Sequence, residues 1–370
     1  MNRRWLVAVG AAVALGVLGC PPPAEGPVPP RGTTTTAPAL APSLAATTTT
    51  QPGPLPATLA RGTGTPADDK LAAGDTAYLA GNFARAASAY REARALAPGD
   101  PAPHVGIARA ILADGGVPTG VNAAPGDPAA LDAIQLLRKA VSLEPTFAPA
   151  QLELGRTLLV VGEIIMAVEP LGRAAELAPG DAEAHSTLGI AQLLTRQHAD
   201  AVASLRRAAE MDPGKADRHA NLGTALLQSG QPADAVQAYR RAVELDPKGP
   251  EYQTSLGTAY LQLGDVKSAL PHLTRAVGLD PGRATARSNL GFAYLQAGDR
   301  QRAIAEYREA LKLDPQLGSA WINLGNALAQ EKKYGEARKA YEQAQKLDPE
   351  DPRVKAVLEE LDELEKQPGK

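Results

Sequence analysis

The chain has 370 residues, of which only 4% are aromatic against 35 Gly and 32 Pro, and this is thin material for several ordinary hydrophobic cores. Lys and Arg (38) nearly balance Asp and Glu (41), so a net charge of -3 provides no basic field, and we expect no nucleic-acid partner. One Cys and five scattered His exclude a disulfide framework and most structural metal sites, and we expect neither a metal nor a cofactor.

The N-terminus has the pattern of a secretory signal. Arg3 and Arg4 precede an uncharged, mostly apolar run over residues 5–18, which is short for a bilayer-spanning helix; an uncleaved anchor is the alternative. The run ends in Val17-Leu18-Gly19-Cys20, which resembles the lipobox of bacterial lipoproteins. The resemblance implies a signal peptide over residues 1–19, cleavage before Cys20, and lipidation of that cysteine, which would hold the mature chain on a membrane through its acyl chains.

Residues 20–66 are predicted to form a disordered linker after the lipidated cysteine. Between residues 21 and 66 there are 12 Pro and 11 Thr and almost no large apolar side chains. Such a segment cannot bury enough surface to offset its ordering entropy, so we expect an extended spacer. Pro21 stands where an inner-membrane retention signal of enteric bacteria would have Asp, which favours the outer membrane over the inner and a protein facing the periplasm.

The rest of the chain is periodic. Prolines recur at intervals of 34 residues, at positions 145, 179, 213, 247, 281, 315 and 349. In phase with them run a Leu-Gly pair and two alanine columns. These are Leu154-Gly155, Leu188-Gly189, Leu222-Gly223, Leu256-Gly257, Leu290-Gly291 and Leu324-Gly325; Ala167, Ala201, Ala235, Ala269, Ala303 and Ala337; and Ala174, Ala208, Ala242, Ala276, Ala310 and Ala344.

This pattern resembles the tetratricopeptide repeat, a 34-residue helix-turn-helix unit with Leu-Gly, Ala and Pro landmarks. When each proline is numbered 32, eight units end at Pro98 and at the seven prolines above, and Trp321 and Tyr341 match the large-residue positions 4 and 24. The resemblance implies an all-α fold, a right-handed α-solenoid of about eight repeats over residues 67–349.

The columns have a mechanical interpretation. Two helices can pack at short separation only if small residues meet where they cross, which we assign to Gly at position 8 and Ala at positions 20 and 27. Leu at position 7 is predicted to supply the apolar contact between units, aided by position 30. The position-30 residues are Leu177, Met211, Leu245, Leu279, Leu313 and Leu347.

Three segments depart from the period. Repeat 2 carries extra residues near 115–128, predicted as a loop that projects from one edge; it is either a functional lip or a tolerated insertion. Ile164, Ile165 and Met166 form an exposed patch or are buried against that loop. Residues 350–370 are predicted as a capping helix and tail, with Asp351 as N-cap and Val354, Val357, Leu358, Leu361 and Leu364 on one stripe.

No catalytic motif is present, so we expect a protein that is not an enzyme. His185 and His219 share position 4 with His104, but an intervening helix keeps equivalent positions about 10 Å apart, too far to share a metal ion. We assign all three to packing between helices.

The resemblance implies that positions 2, 5, 6, 9, 12 and 13 of each first helix line a groove for extended or helical peptides. Position 6 gives Asn221, Asn289 and Asn323, whose amides could bond a bound main chain or merely solvate the groove. Positions 9, 12 and 13 give an apolar lining, which consists of Ile190, Leu193, Leu194, Leu227, Leu261, Phe292 and Leu295. Some family members clamp a terminal carboxylate through Lys or Arg at positions 5 and 9; only Arg156 is basic in the repeats compared, which disfavours that mode.

The sequence therefore predicts a lipid-anchored scaffold of the bacterial cell envelope that binds protein or peptide partners, as in pilus, secretion, outer-membrane or cell-wall machines. A glycan- or peptidoglycan-binding lipoprotein is a first alternative, disfavoured because Phe292 is the one aromatic noted in the groove. A passive spacer is the second alternative, and an enzyme the third.

Overall fold

The computed structural model describes residues 58–365, and side chains up to residue 362. The predicted signal peptide over residues 1–19, Cys20, the linker up to residue 57, the side chain of Leu364 and residues 366–370 lie outside the described residues.

The described part of the chain is helical throughout, with seventeen helices and no strand between residues 58 and 365. The helices are α1 (Pro66–Leu79), α2 (Phe83–Leu96), α3 (Ala102–Asp114), α4 (Pro128–Leu143), α5 (Ala148–Val161), α6 (Ile164–Leu177), α7 (Ala182–Leu194), α8 (His198–Met211), α9 (Ala216–Gln228), α10 (Pro232–Leu245), α11 (Pro250–Gln262), α12 (Val266–Leu279), α13 (Ala284–Gln296), α14 (Arg300–Leu313), α15 (Gly318–Gln330), α16 (Tyr334–Leu347) and α17 (Pro352–Glu365). Each helix packs on the next, and α1 to α16 form eight pairs. The predicted all-α solenoid of eight repeats is confirmed.

Local chemistry sets the helix ends. The carboxylate of Asp181 accepts hydrogen bonds from the main-chain N–H groups of Glu183 and Ala184 and so caps α7. The turn inside most repeats needs a residue at positive φ, which Gly230 supplies at 72°. Repeats 4 and 8 place Arg196 (φ 61°) and Lys332 (φ 60°) there instead, at a cost of about 1 kcal/mol each.

The glycines at position 8 face the large residue at position 24 of the same repeat. A methyl group on Gly257 would lie 2.6 Å from Cγ of Leu273, and one on Gly223 would lie 2.8 Å from Cε1 of Tyr239. Every residue of both alanine columns is buried as well. The assignment of small residues to the helix crossings is confirmed, and position 24 is the large side chain that those crossings enclose.

The expectation for position 30 is wrong. Leu279, Leu313 and Leu347 keep 38%, 46% and 36% of their surface exposed, because they lie in the last turn of the second helix, beyond the reach of the next repeat. At position 7, Leu256 is fully buried, but Leu222 is only partly buried and lines an open surface depression.

Position 4 has a role that the sequence did not reveal. In six repeats its side chain reaches back to the carbonyl oxygen of the preceding position-32 proline, which a helix end leaves without a partner. The pairs are Gln151 with Pro145 (2.9 Å), His185 with Pro179 (3.3 Å), His219 with Pro213 (3.1 Å), Gln253 with Pro247 (3.4 Å), Arg287 with Pro281 (3.0 Å) and Trp321 with Pro315 (2.9 Å). His104 is buried, and burial lowers its pKa.

The inserted loop between α3 and α4 lies against the end of α5 and does not stand away from the array as predicted. The N–H groups of Asn122 and Ala124 donate to the carbonyl oxygens of Leu159 and Val160, at 2.8 and 3.1 Å. These carbonyls belong to the last turn of α5, so the loop caps that helix. The loop leaves the neighbouring patch uncovered, since Ile165 and Met166 are 83% and 51% exposed.

The ordered region begins before the predicted boundary at residue 66. Residues 58–65, which we call the N-terminal strap, pack on repeat 1, where Leu59 is buried in the core. The main-chain N–H of Ala60 donates to Asp75 (3.0 Å), and those of Arg61 and Thr63 donate to Asp68 (2.6 and 2.7 Å).

At the other end, α17 packs on α16. Val354 and Leu361 are buried there, and Asp351 accepts a hydrogen bond from the N–H of Arg353 at 2.8 Å. Val357 and Leu358 are partly buried against the same cluster, so the predicted stripe faces the array.

Candidate functional site

The first helices of the repeats form one continuous surface. Each of α1, α3, α5, α7, α9, α11 and α13 packs on the first helix of the next repeat, whereas the second helices do not pack on one another in this way. The first helices therefore approach one another more closely, and they line the inner side of the stack. We call the side formed by positions 2, 5, 6, 9, 12 and 13 the inner surface.

The structure places the predicted asparagines deep in this surface. Asn221 is 2% exposed, and its Oδ1 has no hydrogen-bond partner. Asn323 is 8% exposed. Asn289 is partly exposed, and its Nδ2 donates to Oγ1 of Thr258 on the preceding repeat at 3.0 Å. The three amides lie in one row, but one of them already has a partner inside the array.

The predicted apolar lining divides by depth. Leu193, Phe292 and Leu295 are buried. The partly exposed residues, which a partner can reach, are Ile190, Leu194, Leu227 and Leu261. Tyr78 at position 12 of repeat 1, which the sequence pattern did not single out, adds a second partly buried aromatic side chain to the same surface.

Charged side chains occupy the N-terminal half of the inner surface. Nε of Arg109 donates to Oε1 of Glu153 at 3.0 Å across two repeats, and both side chains are more than nine-tenths buried. Nη2 of Arg218 donates to Oε2 of Glu183 at 2.7 Å, again across two repeats. Arg109 stands at position 9 of repeat 2, so Arg156 is not the only basic residue at the positions compared above.

Arg156 lies between these two pairs. Burial lowers its pKa, but the negative charges of Glu153 and Glu183 outweigh that effect and raise it. In turn, burial raises the pKa of Glu183, and the charges of Arg156 and Arg218 outweigh it and lower that pKa. All five groups are therefore charged at neutral pH, and they form one electrostatic unit.

The C-terminal half of the inner surface is neutral. Its polar groups are hydroxyls and amides, and several hydroxyls are satisfied by the carbonyl four residues earlier on their own helix. Thr224 donates to Ala220 (3.1 Å), and Thr254 donates to Pro250 (2.7 Å). This half offers apolar contact and few strong charges.

No metal or cofactor site emerges from the described residues. Between residues 58 and 365, no group of three or more His, Cys, Asp or Glu side chains is close enough to hold a metal ion. Within the same range no helix has the length and apolar character that crossing a bilayer requires.

Comparison with known proteins agrees with this architecture. Residues 221–284 and 288–352 match the family model described as tetratricopeptide repeat, and residues 132–246 match the one described as bacterial transcriptional activator domain. No curated protein matches the chain. The tetratricopeptide matches and the eight helix pairs together show that the chain carries tetratricopeptide repeats.

Solved structures show a similar fold. The Cut9–Hcn1 hetero-tetramer of the APC/C is 17% identical, with a TM-score of 0.55, over 80% of this chain and 55% of that chain. YrrB, a TPR protein with an unusual peptide-binding site, is 25% identical over 50% of this chain and 95% of that one, with a TM-score of 0.42. PilF of Pseudomonas aeruginosa is 20% identical over 58% of this chain and 97% of that one, with a TM-score of 0.49.

Proposed function

We propose that this chain, whose helix pairs are tetratricopeptide repeats, is a non-enzymatic scaffold that binds an extended or helical segment of a protein partner on its inner surface. The tetratricopeptide fold points to protein–protein interaction as a class. The observation that carries the proposal for this chain is the continuous row of first helices with half-buried leucines, since apolar area that a partner can cover drives association.

We further propose that the scaffold is held on a bacterial membrane, facing the periplasm, by lipid on Cys20. The support is the sequence Val17-Leu18-Gly19-Cys20 after a short apolar run, together with a linker long enough to separate the repeats from a bilayer. An envelope machine built from several proteins is the setting that this arrangement suits, and the outer membrane is favoured by Pro21.

The binding role is tested by crosslinking in native cells. Leu227→Gln and Leu261→Gln replace two partly exposed inner-surface residues with the amide already present at position 13 of the same repeats, so the fold should survive, which thermal unfolding checks. We expect the main crosslinked partner to be lost from this double variant and kept by Arg207→Gln, whose side chain is 56% exposed on α8. A partner captured equally by both variants would place binding elsewhere, and capture of none would leave a spacer as the function.

The membrane role is tested by Cys20→Ser. This variant should accumulate as an unlipidated precursor, detected as a change in mass and the loss of acyl labelling. Wild-type protein found in the soluble fraction of cells with intact membranes would contradict the anchor.

A further inference from the structure

Hydrogen-bond donors without acceptors collect on the inner surface of repeats 2 to 5. Nη2 of Arg109 and Nε of Arg218 have no partner, although each of these side chains is only 7% exposed. Buried donors are almost always paired in native proteins, because leaving one unpaired costs about 1–3 kcal/mol. Two such atoms on one surface call for an acceptor from outside the chain.

A third guanidinium lies between them without a partner. Arg156 is partly exposed and makes neither a hydrogen bond nor an ion pair within residues 58–365. The two nearby glutamates are already engaged, Glu153 by Arg109 and Glu183 by Arg218. Arg156 therefore presents its fork of N–H groups to whatever occupies the surface.

These residues form a row across successive first helices. Arg109 lies on α3, Arg156 and Glu153 on α5, Glu183 on α7 and Arg218 on α9. Ile190 and Leu194, also on α7, supply partly exposed apolar area beside the row. A segment that runs along the inner surface and covers this apolar area would pass the Arg156 guanidinium.

We propose that this row, centred on Arg156, binds a carboxylate of the partner segment. The proposal rests on the proposed function of the inner surface. A planar guanidinium pairs with a carboxylate through two parallel hydrogen bonds, and the partly dry setting strengthens them. The negative charges of Glu153 and Glu183 repel a dianion, so they select a singly charged carboxylate over a phosphate.

The carboxylate has two possible sources, an Asp or Glu side chain within the segment or a free C-terminus. Two random dodecapeptide libraries separate them. One is displayed within a carrier loop and has no free terminus, and the other ends in a free carboxylate. Selection uses the full-length protein, and the probes measured afterwards are the synthetic forms of the selected peptides.

We expect selected peptides to carry Asp or Glu at one fixed place, or a free terminus. Changing that group to its amide should weaken binding to the wild-type protein by about tenfold or more, as expected for a charge-assisted pair. Arg156→Gln should weaken binding by the same factor, and the amide peptide should lose nothing further on this variant. Arg156→Lys should lie between the two, and the exposed-arginine control Arg207→Gln should match the wild type.

Two outcomes overturn the proposal. Peptides that compete at the inner surface with no preference for an acidic group, or that bind Arg156→Gln as tightly as the wild type, would remove the carboxylate site and leave the binding function intact. Failure of every library to yield a peptide that Leu227→Gln with Leu261→Gln weakens would overturn both. Thermal unfolding of Arg156→Gln and Arg156→Lys shows that each variant is folded before affinities are compared.

Discussion

The hydroxyl of Tyr239 lies 2.9 Å from Oγ1 of Thr224, at positions 24 and 9 of the same repeat. Tyr90 with Asp75 and Tyr341 with Asn326 repeat this relationship, at 2.9 and 2.8 Å. Repeat 7 breaks it, because Phe292 stands at position 9 and leaves the buried hydroxyl of Tyr307 without a partner.

The two tyrosines should therefore respond oppositely to loss of the hydroxyl. Tyr239→Phe removes a made hydrogen bond and should lower the free energy of unfolding by about 1 kcal/mol. Tyr307→Phe removes only an unpaired polar atom and should leave stability unchanged or raise it by about 1 kcal/mol. Urea unfolding followed by circular dichroism measures both. Equal losses in the two variants would mean that Tyr307 has a partner in solution.

Leucine columns offer a second matched pair. Leu256→Ala empties a fully buried site and should cost about 2–5 kcal/mol, and it should weaken the neighbouring repeats because stability passes between adjacent units. Leu222→Ala, at the same position one repeat earlier, should cost less, because Leu222 is already partly exposed. Hydrogen exchange of α9 to α13 locates each loss. A larger loss at Leu222 would mean that Leu222, and not Leu256, is the more deeply buried of the two.

Glycine at a helix crossing can be separated from glycine on an open helix face. A methyl group on Gly257 would meet Cγ of Leu273 at 2.6 Å and the carbonyl oxygen of Ala269 at 3.3 Å, so Gly257→Ala should destabilise by about 1–3 kcal/mol. Gly278 in α12 has nothing within 4 Å of that point, so Gly278→Ala should stabilise by about 0.5–1 kcal/mol. Thermal midpoints of the two variants should move in opposite directions.

His272 should make stability depend on pH. Burial and the nearby charges of Arg240 and Arg275 lower its pKa, and its Nδ1 lies 2.9 Å from Oε1 of Gln253. A histidine whose folded pKa is depressed binds protons more readily when unfolded, so its contribution is full above the ordinary pKa of about 6.5 and is lost as the pH falls through and below it.

The urea midpoint should accordingly fall between pH 7.5 and 5.5, and His272→Gln should reduce the size of that fall. His198, on α8, supplies the control, since His198→Gln should leave the fall as it is in the wild type. If His272→Gln behaves like the control, His272 does not contribute to the dependence.

The fold could be predicted because its determinants recur in phase. Glycine at position 8 and alanine at positions 20 and 27 are readable as columns, and the structure places them at helix crossings. The exposure of Leu313 at position 30 could not be read in this way, since a column shows that a residue recurs but not how far the next repeat reaches.

The candidate site was predicted less completely. Arg109 and Glu153 are 44 residues apart, and no column links them, because the charges differ from repeat to repeat and the insertion shifts the spacing. The strap did leave a signal. Leu59 lies 34 residues before Ala93, so it occupies the register of the position-27 alanine column, and a search for the period upstream of repeat 1 would have found it.

The helix α17 continues the register of a ninth first helix, with Glu359 in the place that glycine takes at position 8. A second helix cannot close over a glutamate there, so the pattern that builds the array also ends it. Leu59 seals the opposite end with a side chain where a helix backbone would otherwise lie. Copies of this protein consequently have no matching faces with which to join head to tail, and filaments formed by end-on addition are not open to it.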